Sequence, residues 1–399
     1  MPPTRRRPVA PARAPARPRV AIIGANFAGL RAAQRLGVEF DVTVFDPSPW
    51  FEWLPNIHEL LSGTKRPTEL RLSRRRLVAR AGHRFVQAAV ASLEAKHGRL
   101  ETAAGGEHRF DYCIVAIGGC NETHGVQGAE RHALPFKSID DCELIRRRLA
   151  ALGRARRPSS VVIVGGGFVG IEALGEILRR YRSRTQMLVH LVEAGPRLMA
   201  STSARIDAAV RKHCAGLNVR IHTGVPVAKV TPGAVHLRGG ERLRSDLTLW
   251  TGGAVAPPLL VAARLATGPG QWAAVDWTLR SRRFHNVFVI GDAAGLPRML
   301  AKQAFHALEM GDCAADNIER AAAGRVLRPF RPARTPLLVA FGDLDTFLIA
   351  GRTVVAVPAF AAGKEAVYQL TMAQIDPPYS PKALGRLAAR AAGLRHRLG

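Results

Sequence analysis

RVAIIGANFAGLRAAQRL, from Arg19 to Leu36, returns in diverged form as VVIVGGGFVGIEALGEIL from Val161 to Leu178. In each copy a short β-branched run meets a glycine turn, and a helix then starts on small and apolar residues. Ile22, Gly24, Phe27, Gly29 and Ala32 match Ile163, Gly165, Phe168, Gly170 and Ala173. The physics of such a turn is specific. The first glycine permits a tight bend, the second lets a pyrophosphate approach the backbone, and the third lets helix and strand pack closely. Phosphates then rest on the exposed N–H groups and positive dipole end of the helix.

Each copy also has the acid that should grip a ribose at the end of its second strand. DVTVFDP supplies Asp46, 22 positions after Gly24, and LVHLVEAGP supplies Glu193, 28 positions after Gly165. Returning strands follow, FDYCIVAIGG ending at Gly119 and SDLTLWTGG ending at Gly253. Later, RFHNVFVIGDAAGLP puts Gly291 and Asp292 at the carboxyl end of a strand, where doubly wound sheets bind ligands. Asp292 can hydrogen-bond a polyol hydroxyl there, or cap a helix, or do both. Two bound dinucleotides are expected. Asn26 departs from the pattern, standing where the second copy has Gly167. Asparagine tolerates positive φ better than most residues, so altered phosphate contacts are expected, with the site kept.

The order of these motifs resembles the two-dinucleotide flavoproteins of the pyridine nucleotide-disulfide oxidoreductase fold. Within them it is most similar to type II NADH:quinone dehydrogenases and AIF-like flavoprotein quinone reductases. WLPNIHEL (53–60) with Ser62-Gly63, VEAGPR (192–197), LWTGG (249–253), Val275-Asp276 with Thr278-Leu279-Arg280, and VIGD (289–292) carry the likeness. The resemblance implies an α/β chain with two Rossmann-like doubly wound domains. The FAD domain would comprise 18–150 and 256–330, the NAD(P)H domain would be inserted as 151–255, and 331–399 would form a C-terminal interface or membrane-docking region. It further implies that Gly24, Asn26, Phe27, Ala28, Gly29, Asp46, Pro55, Gly118, Gly291 and Asp292 line the FAD site. Gly165, Gly167, Phe168, Val169, Gly170, Glu172, Glu193 and Gly252 would line the NAD site. Glu193 favours NADH, since a carboxylate repels the 2′-phosphate of NADPH, although Arg197 lies nearby.

Flavin plus nicotinamide means hydride transfer and then electron release to an acceptor, and no metal is called for. Disulfide reductases of this fold carry a CxxxxC pair after the first motif, but residues 54–70 contain no cysteine. Of the five cysteines, Cys113 and Cys313 read as buried inert thiols, which argues against the paired cysteines of sulfide:quinone reductases. Cys120 follows a glycine turn and is the one to check against the flavin. Type II dehydrogenases carry A-Q-x-A-x-Q beside the quinone pocket, whereas this chain has Ala301-Lys302-Gln303-Ala304-Phe305-His306. Lys302 could stabilise an anionic reduced flavin. His306, expected on the same helical face, could deliver a proton to a quinol. Glu172, whose counterpart in the first repeat is Arg31, would lie near nicotinamide and flavin by the resemblance; a solvated helix carboxylate is the plainer alternative.

The 399 residues are 47% hydrophobic, with 58 Lys+Arg against 31 Asp+Glu and a net charge of +27. Only eight of the basic residues are lysine. Such charge suits nucleic acid, but no aromatic-interleaved basic motif or helix-turn-helix pattern is present, which argues against that partner. Residues 1–17 read as a disordered Pro/Ala/Arg arm with no secretory core. PKALGRLAARAAGLRHRLG (381–399) reads as a basic amphipathic helix, suited to an anionic membrane surface or to packing on protein or a homodimer partner. Phe347–Gly363, strongly apolar, could form part of a membrane- or dimer-facing plate. The reading is therefore an NAD(P)H oxidoreductase passing electrons to a quinone, cytoplasmic and peripheral on the inner membrane face. The alternatives are a reductase of a soluble carrier such as ferredoxin or rubredoxin, or an NADH-binding redox sensor with little turnover.

Overall fold

The computed structural model describes residues 16–155, 157–298, 300–351 and 353–377. The N-terminal arm up to residue 15 and the basic helix expected over 381–399 lie outside the described residues.

Each glycine turn lies at the end of the middle strand of its own five-stranded parallel sheet. The first sheet runs Val287–Val289, Tyr112–Val115, Arg19–Ile23, Asp41–Phe45, Arg84–Val86. The second runs Leu134–Pro135, Leu247–Trp250, Ser159–Val164, Met187–Glu193, Val219–Thr223. Ile22, Val44, Ile114, Phe288, Ile163 and Leu249 expose none of their surface. That is why these strands read as unbroken apolar runs: both faces of a parallel sheet are covered. The repeat reaches further than the glycine turns. In both units a three-stranded antiparallel sheet is inserted before the returning strand, Val90–Glu94 with Arg99–Thr102 and Glu107–Arg109 in one, Val227–Thr231 with Ala234–Leu237 and Arg242–Arg244 in the other.

Two crossings join the sheets, and they pair antiparallel: Cys120 opposite Val255, Asn121 opposite Ala254. The chain therefore re-enters beside the point where it left, and Val287–Val289 completes the first sheet. From there helix Ala304–Ala322 crosses helix Phe27–Arg35 so closely that a Cβ on Gly311 would lie 2.6 Å from the Ala28 carbonyl oxygen. Arg31–Asp312 and Arg35–Asp316, both 2.8 Å, flank that contact.

The C-terminal segment forms an antiparallel sheet, Leu337–Phe341, Asp345–Ala350 and Thr353–Ala356, followed by helix Phe360–Ile375. It packs on helix Phe168–Tyr181 at a glycine-to-glycine crossing, where a Cβ on Gly175 would sit 2.4 Å from the Gly342 nitrogen. Part of the stretch expected as an apolar plate is core instead. Phe341 and Phe347 are fully buried here, each stabilising the chain by about 1.5–3 kcal/mol, and so cannot face a membrane. Val355 in that stretch stays exposed, as do Val367 and Leu370 on the following helix. Three arginines after the first helical segment are tied into the fold. Arg74 is buried, while Arg76 and Arg80 both clasp Asp376 and fix the end of the C-terminal helix.

Candidate functional site: two dinucleotide cradles and a buried acid–base cluster

The two turns superimpose in their sterics. Gly24 (φ +95°) and Gly165 (φ +109°) occupy the left-handed region. A Cβ would lie 2.4 Å from the Ala116 oxygen at Gly24 and 2.7 Å from Thr251 Oγ1 at Gly165. At Gly29 and Gly170 a Cβ would lie 1.9 Å from the carbonyl oxygen of the first glycine of each turn. In front of Gly167 and Gly118, by contrast, a Cβ would meet nothing within 4 Å. Neither helix N-terminus has a side-chain cap or an acid in its first turn. Open space before bare, positively polarised N–H groups fits a pyrophosphate at each turn.

Asn26 corrects the expectation of positive φ. Its φ is −93°, and Gly167 at the same position has −75°, so neither residue needs the left-handed region. The Asn26 amide instead bonds the backbone of Glu52 in both directions, donating to its oxygen at 3.2 Å and accepting from its nitrogen at 3.0 Å. The side chain braces strand Trp50–Glu52 against the turn. Phe27 is buried edge-on against Phe51 and Trp53, whereas Phe168 stands exposed at the mouth of the second turn.

The two strand-end acids also correspond. Asp46 accepts from Ala25 N at 2.8 Å, and Glu193 from Gly166 N at 2.6 Å. They differ in their remaining partners. Among the described residues Glu193 accepts besides only from Gly195 N, whereas Asp46 also takes Ser48 N and the buried Arg74 guanidinium. Arg74 further donates to the carbonyls of Ala25 and Ser48 at 2.9 Å. Sequence reasoning missed this contact.

Asp292 lies in the turn Gly291–Ala293, with burial pushing its carboxyl up against the opposing pull of Lys302 and Lys137. Lys302 donates to the Asp292 carbonyl, its ammonium 3.4 Å from the Trp272 ring centroid. Lys137 donates to the Gly119 and Cys120 carbonyls at 3.3 and 3.2 Å. Burial lowers both lysine pKa values. The helix begins only at Ala304, after Gln303. Lys302 therefore precedes it and does not share a helical face with His306, as expected from the spacing. The two still line one cavity, together with Gly291, Asp292 and Met310. His306 is buried, its Nδ1 3.3 Å from Glu309.

Glu172 is buried, not solvated. Lys364 from the C-terminal helix and the Ala340 N–H (3.3 Å) meet its Oε1, and His58 Nδ1 lies 3.6 Å from its Oε2. Lys364 also reaches His58 Nε2 at 3.2 Å. Burial raises the Glu172 carboxyl, opposed by Lys364. Burial, with Lys364, Arg179 and Lys65 nearby, drives His58 well below the ordinary imidazole value, so its ring is neutral. Glu59 is likewise raised by burial. One helical turn beyond Glu172, Glu176 is raised to about 7, again chiefly by burial. Sequence reasoning found Glu172 but missed His58, Lys364, Glu176, Lys137 and Trp272. A signal for the lysines was present: in so arginine-rich a chain, four of the seven described lysines, 65, 137, 302 and 364, are buried or half-buried here.

The cysteines offer no redox pair among the described residues. Burial pushes the Cys113 and Cys142 thiols up, and Cys214 and Cys313 to about 11. Cys120 is exposed on the crossing between sheets.

Comparison with known proteins agrees with this architecture. The chain is 25% identical over 373 residues to demethylphylloquinone reductase NdbB of Synechocystis sp., covering 88% of this chain and 92% of that protein. It is 25% identical over 383 residues to the type II NADH:quinone oxidoreductase of Staphylococcus epidermidis, covering 88% and 93%. The solved structure of NDH2 from Plasmodium falciparum in complex with NADH superimposes with a TM-score of 0.81 at 15% identity, over 91% of this chain and 96% of that one. Residues 18–311 match the family described as pyridine nucleotide-disulphide oxidoreductase, and the two cradles fit the FAD and NADH that this family pairs. The chain belongs to the pyridine nucleotide-disulphide oxidoreductase family.

Proposed function

We propose that the protein is an NADH:quinone oxidoreductase, with FAD on the Gly24–Gly29 turn and NADH on the Gly165–Gly170 turn. When bound, FAD accepts a hydride equivalent from NADH and passes two electrons on. The protein's own residues orient, shield and supply protons. The glycine turns seat the pyrophosphates, and Glu193, unpaired with any cation among the described residues, holds the adenosine ribose of NADH and disfavours a 2′-phosphate. Lys302 and Lys137 keep positive charge beside Asp292, where negative charge on a reduced ring system would be stabilised. Glu172, paired with Lys364 beside His58, is one candidate proton donor, and His306 is a second, from the cavity it shares with Lys302.

One observation carries the choice of acceptor. In the segment where a disulfide reductase needs two thiols, this chain has His58 and Glu59, packed against Glu172 and Lys364. Quinone reduction consumes protons, and such a cluster handles protons but cannot exchange disulfides. The apolar face at Val367 and Leu370 supports peripheral docking on a membrane, and among the described residues no helix is long and apolar enough to cross one. The test is steady-state NADH oxidation with a short-chain quinone, a ferredoxin and a rubredoxin as separate acceptors. Turnover with quinone, and its fall in Lys302→Ala, is expected; turnover with the protein carriers alone would overturn the assignment.

A further inference from the structure

Glu176 is a deeply buried acid that the foregoing account does not use. Only 1% of its surface is exposed, yet a continuous run of exchangeable hydrogens leads outward from it. Ser62 Oγ bonds the Glu176 carboxyl, and Ser62 Oγ and Thr64 Oγ1 are 2.8 Å apart. Thr64 lies at the surface, where Arg179 donates to its hydroxyl at 2.9 Å. Inward, Glu176 follows Glu172 by four residues on the same helix, about 6 Å of rise. His58 lies 3.6 Å from Glu172 and 3.8 Å from Glu59, and Glu59 and Lys364 bear electrostatically on both acids, so both border one cluster of polar side chains. The groups facing it are His58, Glu59 and Lys65 from the first unit, Arg179 and Arg180 from the helix itself, and Lys364 and Glu365 from the C-terminal helix.

We propose that Thr64, Ser62 and Glu176 form a proton inlet that reloads Glu172 from solvent. This rests on the quinone reading above. The overall balance is NADH + H⁺ + quinone → NAD⁺ + quinol: two electrons and one proton come from NADH by way of the flavin, and the second proton must come from water. In the step at issue the Glu172 O–H bond breaks as a quinol O–H bond forms. Glu172 then takes a proton from Glu176, and Glu176 is refilled along the Ser62 and Thr64 hydroxyls. A carboxyl that titrates near neutrality, as Glu176 does at about 7, can both release and recover a proton under working conditions. Glu176 is a positioning and relay group; it does not touch the substrate.

The competing account is a latch. Glu176 and Arg180 tie the second unit's helix to the turn at Ser62, and a latch needs no proton. Glu176→Gln separates the two, because glutamine keeps a hydrogen-bonding partner for Ser62 but carries no exchangeable acid proton. Thr64→Val is a surface change that removes the outer hydroxyl. Each variant is reduced with NADH without oxygen, then mixed at pH 8 with a short-chain quinone or with ferricyanide, which takes electrons alone. The inlet predicts unchanged bleaching by NADH and unchanged reoxidation by ferricyanide. It predicts at least tenfold slower reoxidation by quinone in Glu176→Gln and a smaller slowing in Thr64→Val, with imidazole buffer restoring both. Wild-type rates in Glu176→Gln, equal slowing with both oxidants, or slowing that imidazole does not relieve would overturn it. If the unmutated protein is reoxidised by ferricyanide but not by quinone, the quinone reading itself falls and takes the inlet with it.

Discussion

Replacing Lys364 with methionine removes the ammonium bonded to Glu172 while keeping most of the stem that carries it. Glu172 is too buried to stay ionised alone: stranding a buried charge costs about 3–5 kcal/mol. The alternative is to hold it protonated. The ordinary value of this carboxyl is 4.5, so protonation at pH 7 costs up to about 3.4 kcal/mol, at about 1.36 kcal/mol per pH unit. At pH 5 the same cost is only about 0.7 kcal/mol. Losing the lysine moves the folded-state pKa of Glu172 further up. The variant should therefore be least destabilised near and below pH 4.5 and lose stability as pH rises. Urea unfolding of both proteins at pH 5 and pH 7 reads this directly, and Lys364→Met/Glu172→Gln should recover most of the pH 7 loss. Equal losses at the two pH values, or a double variant no more stable than Lys364→Met, would refute the reasoning.

Gly170→Ala puts a methyl into the Gly165 carbonyl; NADH should no longer bleach the flavin while dithionite still does, with flavin content near normal. Glu193→Gln removes the charge proposed to hold the ribose. NADH affinity should fall about tenfold, about 1.4 kcal/mol, and the preference over NADPH should shrink, both read from binding titrations. Iodoacetamide at pH 8 should label Cys120 and spare Cys113 and Cys142, whose thiols burial holds protonated; peptide mass mapping of the folded protein checks this.

The glycine turns were legible because their constraint is local. Gly24 and Gly165 need positive φ, and Gly29 and Gly170 sit against a carbonyl within the same turn, so the spacing alone encodes the geometry. Asn26 was misread because its role depends on a strand 26 residues away, whose backbone its amide bonds. The phase of Lys302 and His306 was misjudged for a smaller reason: the helix starts two residues after Lys302, and terminal positions are the least certain part of a periodic pattern. Glu172 was visible as a residue but not as a buried one. Its surroundings come from Lys364, 192 positions away, and from His58, and no periodicity in its own helix reports such partners. Phe347 failed in the same way, since its apolar run suits a docking plate and a core strand equally well.

The most direct test of the account follows one protein sample through both half-reactions. NADH-reduced enzyme, prepared without oxygen, is mixed in a stopped-flow instrument with a short-chain quinone while flavin absorbance and proton uptake are recorded together. The account predicts rapid bleaching by NADH, reoxidation by quinone, and one proton taken from solvent per quinol formed over the complete cycle. Rapid bleaching followed by a reduced flavin that quinone leaves untouched would contradict it.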